Sequence, residues 1–288
     1  MTKLTRAMSA GPVAIALAMA APPAQAAWAL NMTQGVTEIS RRIYGLHMTI
    51  LWVCVAIGVF VFGWMFWSIF AYRKSRGAVA DTSLTHSTQV EVIWTIIPVL
   101  ILIGSAVPAA RTLVETENAT NTGLTIVVTG YQWKWGYEYR DTGVSYFSTL
   151  SRDSNAARQL GSDIDPASVP DYLLSVDNPL VVPAGVKVRV LLTSQDVIHA
   201  WWVPALAVKK DAIPGLTNVI WFEVDTDKTG IYRGQCAELC GRDHGFMPVV
   251  VDVRSKDDFD RWLAEKKAAA QPAAAAAAAS AATPPHAG

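Results

Sequence analysis

The sequence predicts a membrane-anchored, all-β protein, in which a two-helix transmembrane hairpin precedes a domain built as a Greek-key β-barrel or β-sandwich. Two long apolar runs near the N-terminus predict the hairpin, and several short runs of alternating polarity after them predict the β domain. Composition agrees, because 51% of the 288 residues are hydrophobic and the mean hydropathy is +0.25. The chain is therefore too apolar for an ordinary soluble domain, and its length allows about two domains at most.

The first 26 residues have the pattern of an export signal. Lys3 and Arg6 precede an apolar run, and an A-x-A cleavage motif ends at Ala26. A third membrane span is the alternative, but the apolar run is short, rich in alanine and followed by two prolines. We expect a signal peptide over 1–26 and a mature protein that starts near Ala27.

The transmembrane hairpin is assigned to residues 27–114, with spans at about 48–71 and 92–113. A helix as long as the first span measures about 36 Å, which crosses the hydrocarbon core with some tilt. The loop between the spans carries more basic than acidic residues, so the positive-inside rule places it in the cytoplasm. Both termini and the β domain then lie on the periplasmic side of the membrane. Glu91, at the cytoplasmic end of the second span, is either a functional carboxylate or an interfacial residue that favours the helix N-terminus.

The β domain is assigned to residues 115–267, in which strands are predicted at Val186–Leu192, Asn218–Val224 and Pro248–Val253. This region contains 21 acidic and 16 basic residues, a net charge of −5. Such a charge argues against nucleic acid as a partner and suits a basic protein. A loop is predicted over 151–170 and a short helix after Ser255, capped by Ser255 with Asp258. The alanine-rich tail, 268–288, has no periodic apolar face and is expected to be disordered.

One stretch of the β domain concentrates side chains that bind metals. It contains two of the three cysteines, a histidine and a methionine within a dozen residues: Cys236, Cys240, His244 and Met247. Thiolate, imidazole and thioether are soft or borderline ligands, and together they favour copper in an exported protein. His199 follows a predicted strand among large apolar groups, and it is the further ligand expected from outside the loop.

Two other interpretations of this loop remain open. Exported cysteines normally pair, so a disulfide between Cys236 and Cys240 would explain two of the four residues. Two cysteines and two histidines would also satisfy a tetrahedral zinc ion, although Met247 would then have no role. Because a mononuclear blue-copper site needs one cysteine, the second thiolate favours two metals that share two bridging sulfurs.

The loop resembles the dinuclear copper A loop, C-x-E-x-C-x3-H-x2-M, of the cytochrome c oxidase subunit 2 family. The resemblance covers roughly residues 35–265, with family segments in family order: VEVIWTIIP, YQWKWGYEY, VDNPLVVP, DVIHAWWVP, KKDAIPG and GQCAELCGRDHGFMP. It implies a cupredoxin-like domain on the periplasmic side of a bacterial inner membrane, in contact with subunits 1 and 3. Such a domain accepts electrons from cytochrome c and passes them to heme a of subunit 1, which reduces dioxygen to water and couples this to proton pumping.

The resemblance also assigns roles to individual residues. The copper A ligands it implies are His199, Cys236, Cys240, His244, Met247 and the backbone carbonyl of Glu238. The Glu238 side chain would bind a magnesium ion shared with subunit 1, as suits a hard cation. Electrons would enter at Trp133, and Glu91 would stand at the entrance of a proton path. Three acidic residues would dock cytochrome c: Glu138, Asp177 and Asp196.

The chain departs from the common family pattern at Tyr131, Lys134 and Gly136, and an acidic docking position is replaced near Phe147. From periodicity alone, the alternating aromatics of YQWKWGYEY predict a core face of the sheet.

Three other classes of protein can be compared with this pattern. A quinol oxidase subunit would lack the copper ligands, and nitrous oxide reductase would add a propeller domain. An exported copper-delivery protein is the remaining alternative. No C-x-x-C-H motif occurs, so no heme is expected in this chain.

Overall fold

The computed structural model describes residues 31–79, 83 and 86–281, which form two long helices, two five-stranded β-sheets and a C-terminal helix. The predicted signal peptide lies outside the described residues, as do residues 282–288 of the predicted tail. Helix α1 spans Glu38–Ala71 and helix α2 spans Thr88–Thr116. Both contain the predicted spans, and both reach a mean hydropathy of 2.3 over an 18-residue window with exposed apolar side chains. Such faces suit lipid or a partner helix.

The start of α1 is fixed to the β domain by its own capping residues. Thr37 caps the helix, because its hydroxyl accepts from the Ser40 amide at 3.0 Å while the Ser40 hydroxyl accepts from the Thr37 amide at 3.0 Å. The Val36 amide donates to the Ala205 carbonyl at 2.9 Å, and Thr37 forms an antiparallel bridge with Val224. The helical hairpin is therefore joined to the sandwich by backbone hydrogen bonds as well as by the covalent chain.

The β domain is a sandwich of two mixed sheets. The first sheet has the order β3-β2-β1-β5-β8, with strands Val144–Ser148, Lys134–Tyr139, Leu124–Tyr131, Val188–Ser194 and Asn218–Phe222. The second has the order β4-β10-β9-β6-β7, with strands Leu180–Pro183, Pro248–Arg254, Gly230–Cys236, His199–Val203 and Val208–Ala212. The pairs β1–β5 and β4–β10 are parallel, and the remaining neighbours are antiparallel. This arrangement confirms the predicted β-sandwich.

The core lies between the sheets and follows the alternation of the strands. In β5 every second residue is buried, and Val188, Val190 and Leu192 are fully inaccessible. In β6, Trp201 stacks on Phe222 of the facing sheet with ring centroids 6.2 Å apart. Large apolar residues on both inner faces supply most of the stabilisation of the domain, because burying each contributes about 1.5–3 kcal/mol.

Two segments differ from the sequence-based expectation. The predicted loop over 151–170 contains a short helix, α3, at Arg152–Ala157. The final helix, α4, spans Lys256–Ala281 and so extends into the segment expected to be disordered. Alanine has the highest intrinsic helix propensity, so an alanine run extends a helix that has already begun even without a face to bury. The predicted cap is present, since the Ser255 hydroxyl accepts from the Asp258 amide at 3.2 Å.

Candidate metal centre

The loop between β9 and β10 brings the predicted ligands to one point at the edge of the second sheet. Cys236 is the last residue of β9, and its amide donates to the carbonyl of Met247 at 2.9 Å, which closes the base of the loop. The next amide, that of Ala237, donates to the carbonyl of Ala200 on β6 at 3.0 Å. This second bond sets His199, the first residue of β6, beside the loop.

The sulfur and nitrogen atoms of four predicted ligands lie in contact. The sulfurs of Cys236 and Cys240 are 3.8 Å apart and are not bonded to each other. His199 Nδ1 lies 3.9 Å from the Cys236 sulfur, and His244 Nδ1 lies 3.5 Å from the Cys240 sulfur. The ligand atoms of His199, Cys236 and Cys240 all fall within 4.8 Å of one another. One histidine thus flanks each end of a pair of thiols, and the pair is a dithiol rather than the alternative disulfide.

The remaining predicted ligands lie beside this cluster. Met247 is 2% exposed and is joined through its backbone to Cys236. The carbonyl oxygen of Glu238 lies 3.3 Å from the Cys236 sulfur, whereas the Glu238 side chain belongs to an exposed residue. The same residue therefore offers an oxygen inward and a carboxylate outward.

The donor set fits two copper ions. His199 is fully buried, and both cysteines are at most 3% exposed, so the donors face each other in a water-poor site. Thiolates, imidazoles and a thioether match copper in softness, and two thiolates between two imidazoles match a bridged pair of ions. One tetrahedral zinc ion would need His244 in the same group, but among the described residues the group that falls within 4.8 Å contains only His199, Cys236 and Cys240. Zinc would also leave Met247 without a role.

Asp196 orients the buried histidine. Its Oδ1 lies 2.9 Å from His199 Nε2, so this nitrogen donates to the carboxylate and Nδ1 faces the thiols. Burial lowers the pKa of His199, but hydrogen bonds with Cys236 and Asp196 outweigh burial and the net shift of that pKa is upward. Burial raises the pKa of Asp196, and hydrogen bonds with His199 and backbone amides lower it below its usual range. Asp196 was predicted only as a docking residue, and the structure gives it a second contact.

The two thiols differ in their affinity for protons. Burial raises the pKa of Cys236, but hydrogen bonds from His199 and from backbone groups lower it to about 7. Burial and then the negative charge on Cys236 raise the pKa of Cys240 to about 12. Without a metal, one thiolate forms near neutral pH, and its charge holds the proton on the other sulfur.

Gly130 and Trp135 confine the His199 ring, and sequence reasoning missed both. A Cβ atom at Gly130 would lie 2.7 Å from Cδ2 of His199, so the imidazole occupies the space that a side chain would need. On the same face of the hairpin, the ring of Trp135 meets His199 edge-on at 5.9 Å. Gly130 is paired with Trp135 across β1 and β2. A glycine opposite a tryptophan, next to a predicted ligand, could have indicated that a ring fills the space above the glycine.

Trp133 lies against the metal loop at the turn between β1 and β2. Its indole Nε1 donates to the carbonyl of Cys240 at 3.1 Å, and the side chain of Gln132 donates to the same carbonyl at 3.0 Å. The backbone amide of Gln132 donates to a carboxylate oxygen of Asp196 at 2.7 Å. The guanidinium of Arg242 lies over the Trp133 ring at 5.5 Å. The turn is therefore hydrogen-bonded to Cys240, a predicted ligand, and to the carboxylate of Asp196, which holds His199, another predicted ligand.

The positions at which the chain departs from the family pattern form one contact cluster on the outer face of the first sheet. Tyr131 and Phe147 meet edge-on at 5.4 Å, and the Lys134 ammonium lies 3.9 Å from the centroid of Phe147. A Cβ atom at Gly136 would approach Tyr131 to 3.1 Å, so the glycine leaves room for the rings. The Lys134 charge is thus held by aromatic faces.

The other predicted site residues occupy separate positions. Glu138 is exposed on β2, paired across the sheet with Val127. Asp177 accepts from the amide and the hydroxyl of Thr149 at 2.7 and 2.9 Å, so it closes a loop as well as being exposed. Glu91 lies in the first turn of α2.

Two family models match the chain. The model of the periplasmic domain of cytochrome c oxidase subunit II matches residues 124–254, and the model of the transmembrane domain of the same subunit matches residues 25–111. Together they include both long helices up to residue 111 and all ten strands.

Individual relatives agree with the family models. The chain is 38% identical to a probable cytochrome c oxidase subunit 2 of Rickettsia bellii over 83% of this chain and 84% of the relative. It is 39% identical to the probable subunit 2 of Rickettsia prowazekii over 83% of this chain and 73% of the relative. A crystal structure of the periplasmic domain of cytochrome oxidase subunit II of Bradyrhizobium japonicum is 41% identical, covers 52% of this chain and 96% of that one, and aligns with a TM-score of 0.45.

Proposed function

The chain belongs to the cytochrome c oxidase subunit II family, and from this premise we propose that it accepts electrons from cytochrome c at a dinuclear copper A centre. It passes them to heme a of subunit 1, where dioxygen is reduced to water and protons are pumped. The single observation that carries the proposal is the buried pair of unbonded thiols with one imidazole at each end. Two copper ions held by these donors would supply a one-electron centre whose charge is shared between the ions.

The donors that would hold the two ions come from the loop and from β6. The thiolates of Cys236 and Cys240 and the imidazoles of His199 and His244 would be the main ligands. Met247 and the carbonyl of Glu238 would be weaker donors. Because β6, β9 and β10 hold both ends of the loop by backbone bonds, the donors keep their positions when the charge of the centre changes.

The surroundings of the centre support the remaining roles. Trp133 is bonded to the carbonyl of Cys240 and is partly exposed, which suits the residue at which electrons enter. The exposed carboxylate of Glu238 suits magnesium shared with subunit 1. Acidic Glu138, Asp177 and Asp196 attract a basic cytochrome c, in keeping with the net charge of −5 over residues 115–267.

The same assignment gives the orientation in the membrane. We place the basic loop after α1 in the cytoplasm, the β domain in the periplasm and the hairpin in a bacterial inner membrane beside subunits 1 and 3. Glu91, at the start of α2, then lies on the cytoplasmic side, where a proton path into subunit 1 would begin.

Electron paramagnetic resonance of the full chain, purified in detergent and loaded with copper, tests the proposal. An electron shared equally by two copper nuclei gives a seven-line hyperfine pattern, and this is the expected result. A four-line pattern, or a single bound zinc ion after purification from cells, would overturn it. Cys240→Ser should remove the seven-line pattern while far-ultraviolet circular dichroism stays unchanged.

A second measurement separates electron transfer from copper delivery. The oxidase complex that contains this chain should oxidise reduced cytochrome c, and the rate should fall as salt concentration rises. A copper-delivery protein would show the dinuclear spectrum without rapid exchange of electrons with cytochrome c.

A further inference from the structure

The segment between β3 of the first sheet and β4 of the second sheet forms a closed excursion over residues 149–177. Its base is pinned where Asp177 accepts two hydrogen bonds from Thr149, and where the Ser151 amide donates to the Ser175 carbonyl at 2.9 Å. Inside the excursion the fully buried Ser154 accepts from the Leu173 amide at 3.1 Å, which joins the outgoing limb to the returning one. The excursion is therefore an ordered unit with its own internal bonds.

The excursion contacts the loop between β9 and β10 through the side chain of Arg158. The guanidinium carbon lies 4.2 Å from the centroid of the Phe246 ring. Its two terminal nitrogens each lie 3.4 Å from a different oxygen of the Asp243 carboxylate. The side chains of Arg158 and Asp243 are only 20% and 15% exposed, so the pair is shielded from water more than an ordinary surface ion pair.

The two residues that Arg158 contacts stand on either side of a proposed ligand. Asp243 precedes His244 directly and Phe246 follows it by two positions, so one guanidinium spans the short turn at His244–Phe246. A planar guanidinium can lie flat on a ring and offer two nitrogens to one carboxylate at the same time, whereas a lysine ammonium has neither the plane nor the fork. Arg158 is itself held, because its Nε donates to the side chain of Asn155 at 2.8 Å.

This part of the loop has few other constraints. The inner half is closed by the bond between Cys236 and Met247. The turn itself has the local backbone bonds from the His244 amide to Gly241 and from the Phe246 amide to Asp243. Arg242 Nε also lies 3.5 Å from Asp243 Oδ1, but the Arg242 side chain is 81% exposed, so this pair restrains the carboxylate weakly. His199 is fully buried, whereas His244 is partly exposed. A cavity of about 190 Å³, lined by Trp133, Arg158, Asp243 and Phe246 among others, lies beside the contact. Loss of the guanidinium would therefore leave the Phe246 ring free to move toward open space.

We propose that Arg158 is a positioning residue for the metal centre: it fixes the turn 243–247 and thereby the distance of His244 and Met247 from the two thiols. The inference rests on the proposed copper centre for its consequence, but the restraint on the loop is a property of the protein without metal. Residues that hold metal ligands from behind typically change metal affinity by about 10–100-fold when removed.

The test uses the full chain in detergent, with Arg158→Ala, Arg158→Lys and a control, Arg261→Ala. Arg261 lies exposed on α4 and pairs with Asp258, so its loss removes the same charge far from the loop. In the metal-free protein, hydrogen exchange of the amides of 243–247 should be about tenfold faster in Arg158→Ala than in wild type or Arg261→Ala. Arg158→Lys should stay close to Arg158→Ala, because the restraint depends on the planar fork and not on charge alone.

The loaded protein gives the second readout. Copper transfer from Arg158→Ala to a competing chelator should be about 10–100-fold more favourable than from wild type, with an altered hyperfine pattern. Unchanged exchange at 243–247, or full rescue by lysine, would overturn the role of Arg158. If instead exchange rises but no variant, wild type included, shows a dinuclear spectrum, the restraint stands and the copper assignment fails.

Discussion

Gly130→Ala is expected to displace the His199 ring and so disturb the metal centre, although it changes no ligand. The added Cβ would stand 2.7 Å from Cδ2 and 3.0 Å from Cγ of His199. Carbon atoms normally approach to about 3.5–4.0 Å, so the ring must move by about 1 Å. A movement of this size away from β1 breaks the 2.9 Å bond between His199 Nε2 and Asp196, or else strains the strand. Overpacking of this kind costs about 1–3 kcal/mol.

Thermal unfolding of the full chain in detergent, followed by circular dichroism, measures this cost. A loss of 1 kcal/mol lowers the midpoint by about 2–4 °C for a chain of this size. Gly245→Ala is the matched control, because a Cβ there meets nothing within 4 Å although it adjoins His244. We expect Gly130→Ala to unfold at a lower temperature and to release copper more readily, while Gly245→Ala stays near wild type. Equal midpoints and equal spectra for the two variants would refute the argument that the glycine makes room for the ring.

Four further outcomes follow from the structure. Asp196→Asn should weaken copper binding by about 10–100-fold, measured in competition with a chelator. The reason is that an amide group cannot accept all the hydrogen bonds that the carboxylate accepts from His199 and from two backbone amides. Unchanged copper affinity would contradict this. In the metal-free, reduced protein, thiolate absorbance should rise as pH increases through about 7. Cys236→Ser should abolish that step, because burial by itself keeps the pKa of Cys240 above its ordinary value once the charge on Cys236 is gone; two thiolates at neutral pH in the wild type would count against the coupling. Thr37→Ala should lower the unfolding free energy by about 0.5–2 kcal/mol through loss of the α1 cap, read from thermal unfolding. Glu138→Lys should slow the oxidation of cytochrome c at low salt and converge on wild type at high salt; a defect that persists at high salt would indicate a different cause.

The ligands and the helices could be predicted from the sequence because both depend on local patterns. Hydropathy identifies α1 and α2, since a membrane span requires a long apolar run whatever its neighbours. The spacing from Cys236 to Met247 reflects a single loop, which the structure closes by one backbone bond. His199 needed one further inference, that a strand end elsewhere would supply the missing imidazole.

The failures lie where the outcome depends on contacts between distant segments. YQWKWGYEY alternates perfectly, but a two-residue turn at Gln132 and Trp133 divides it between β1 and β2, so only Trp135, Tyr137 and Tyr139 enter the core. Arg158 contacts a residue 85 positions away, and no local pattern marks it. Asp196 could have been recognised, because it stands three residues before His199 and within reach of its ring.

The turn between β1 and β2 links the surface that would receive electrons to the centre that would hold them. Trp133 and Gln132 both donate to the carbonyl of Cys240, and Gln132 also donates through its amide to Asp196, which holds His199. Gly241 has its positive φ of 110° next to this turn, and a Cβ there would meet Gln132 at 3.0 Å. The loop and the turn therefore pack too closely to move independently. A substitution that shifts the turn changes the ligand geometry as well, so electron acceptance and metal binding are expected to fail together at these positions. At exposed Glu138, by contrast, a substitution is expected to affect only the encounter with cytochrome c.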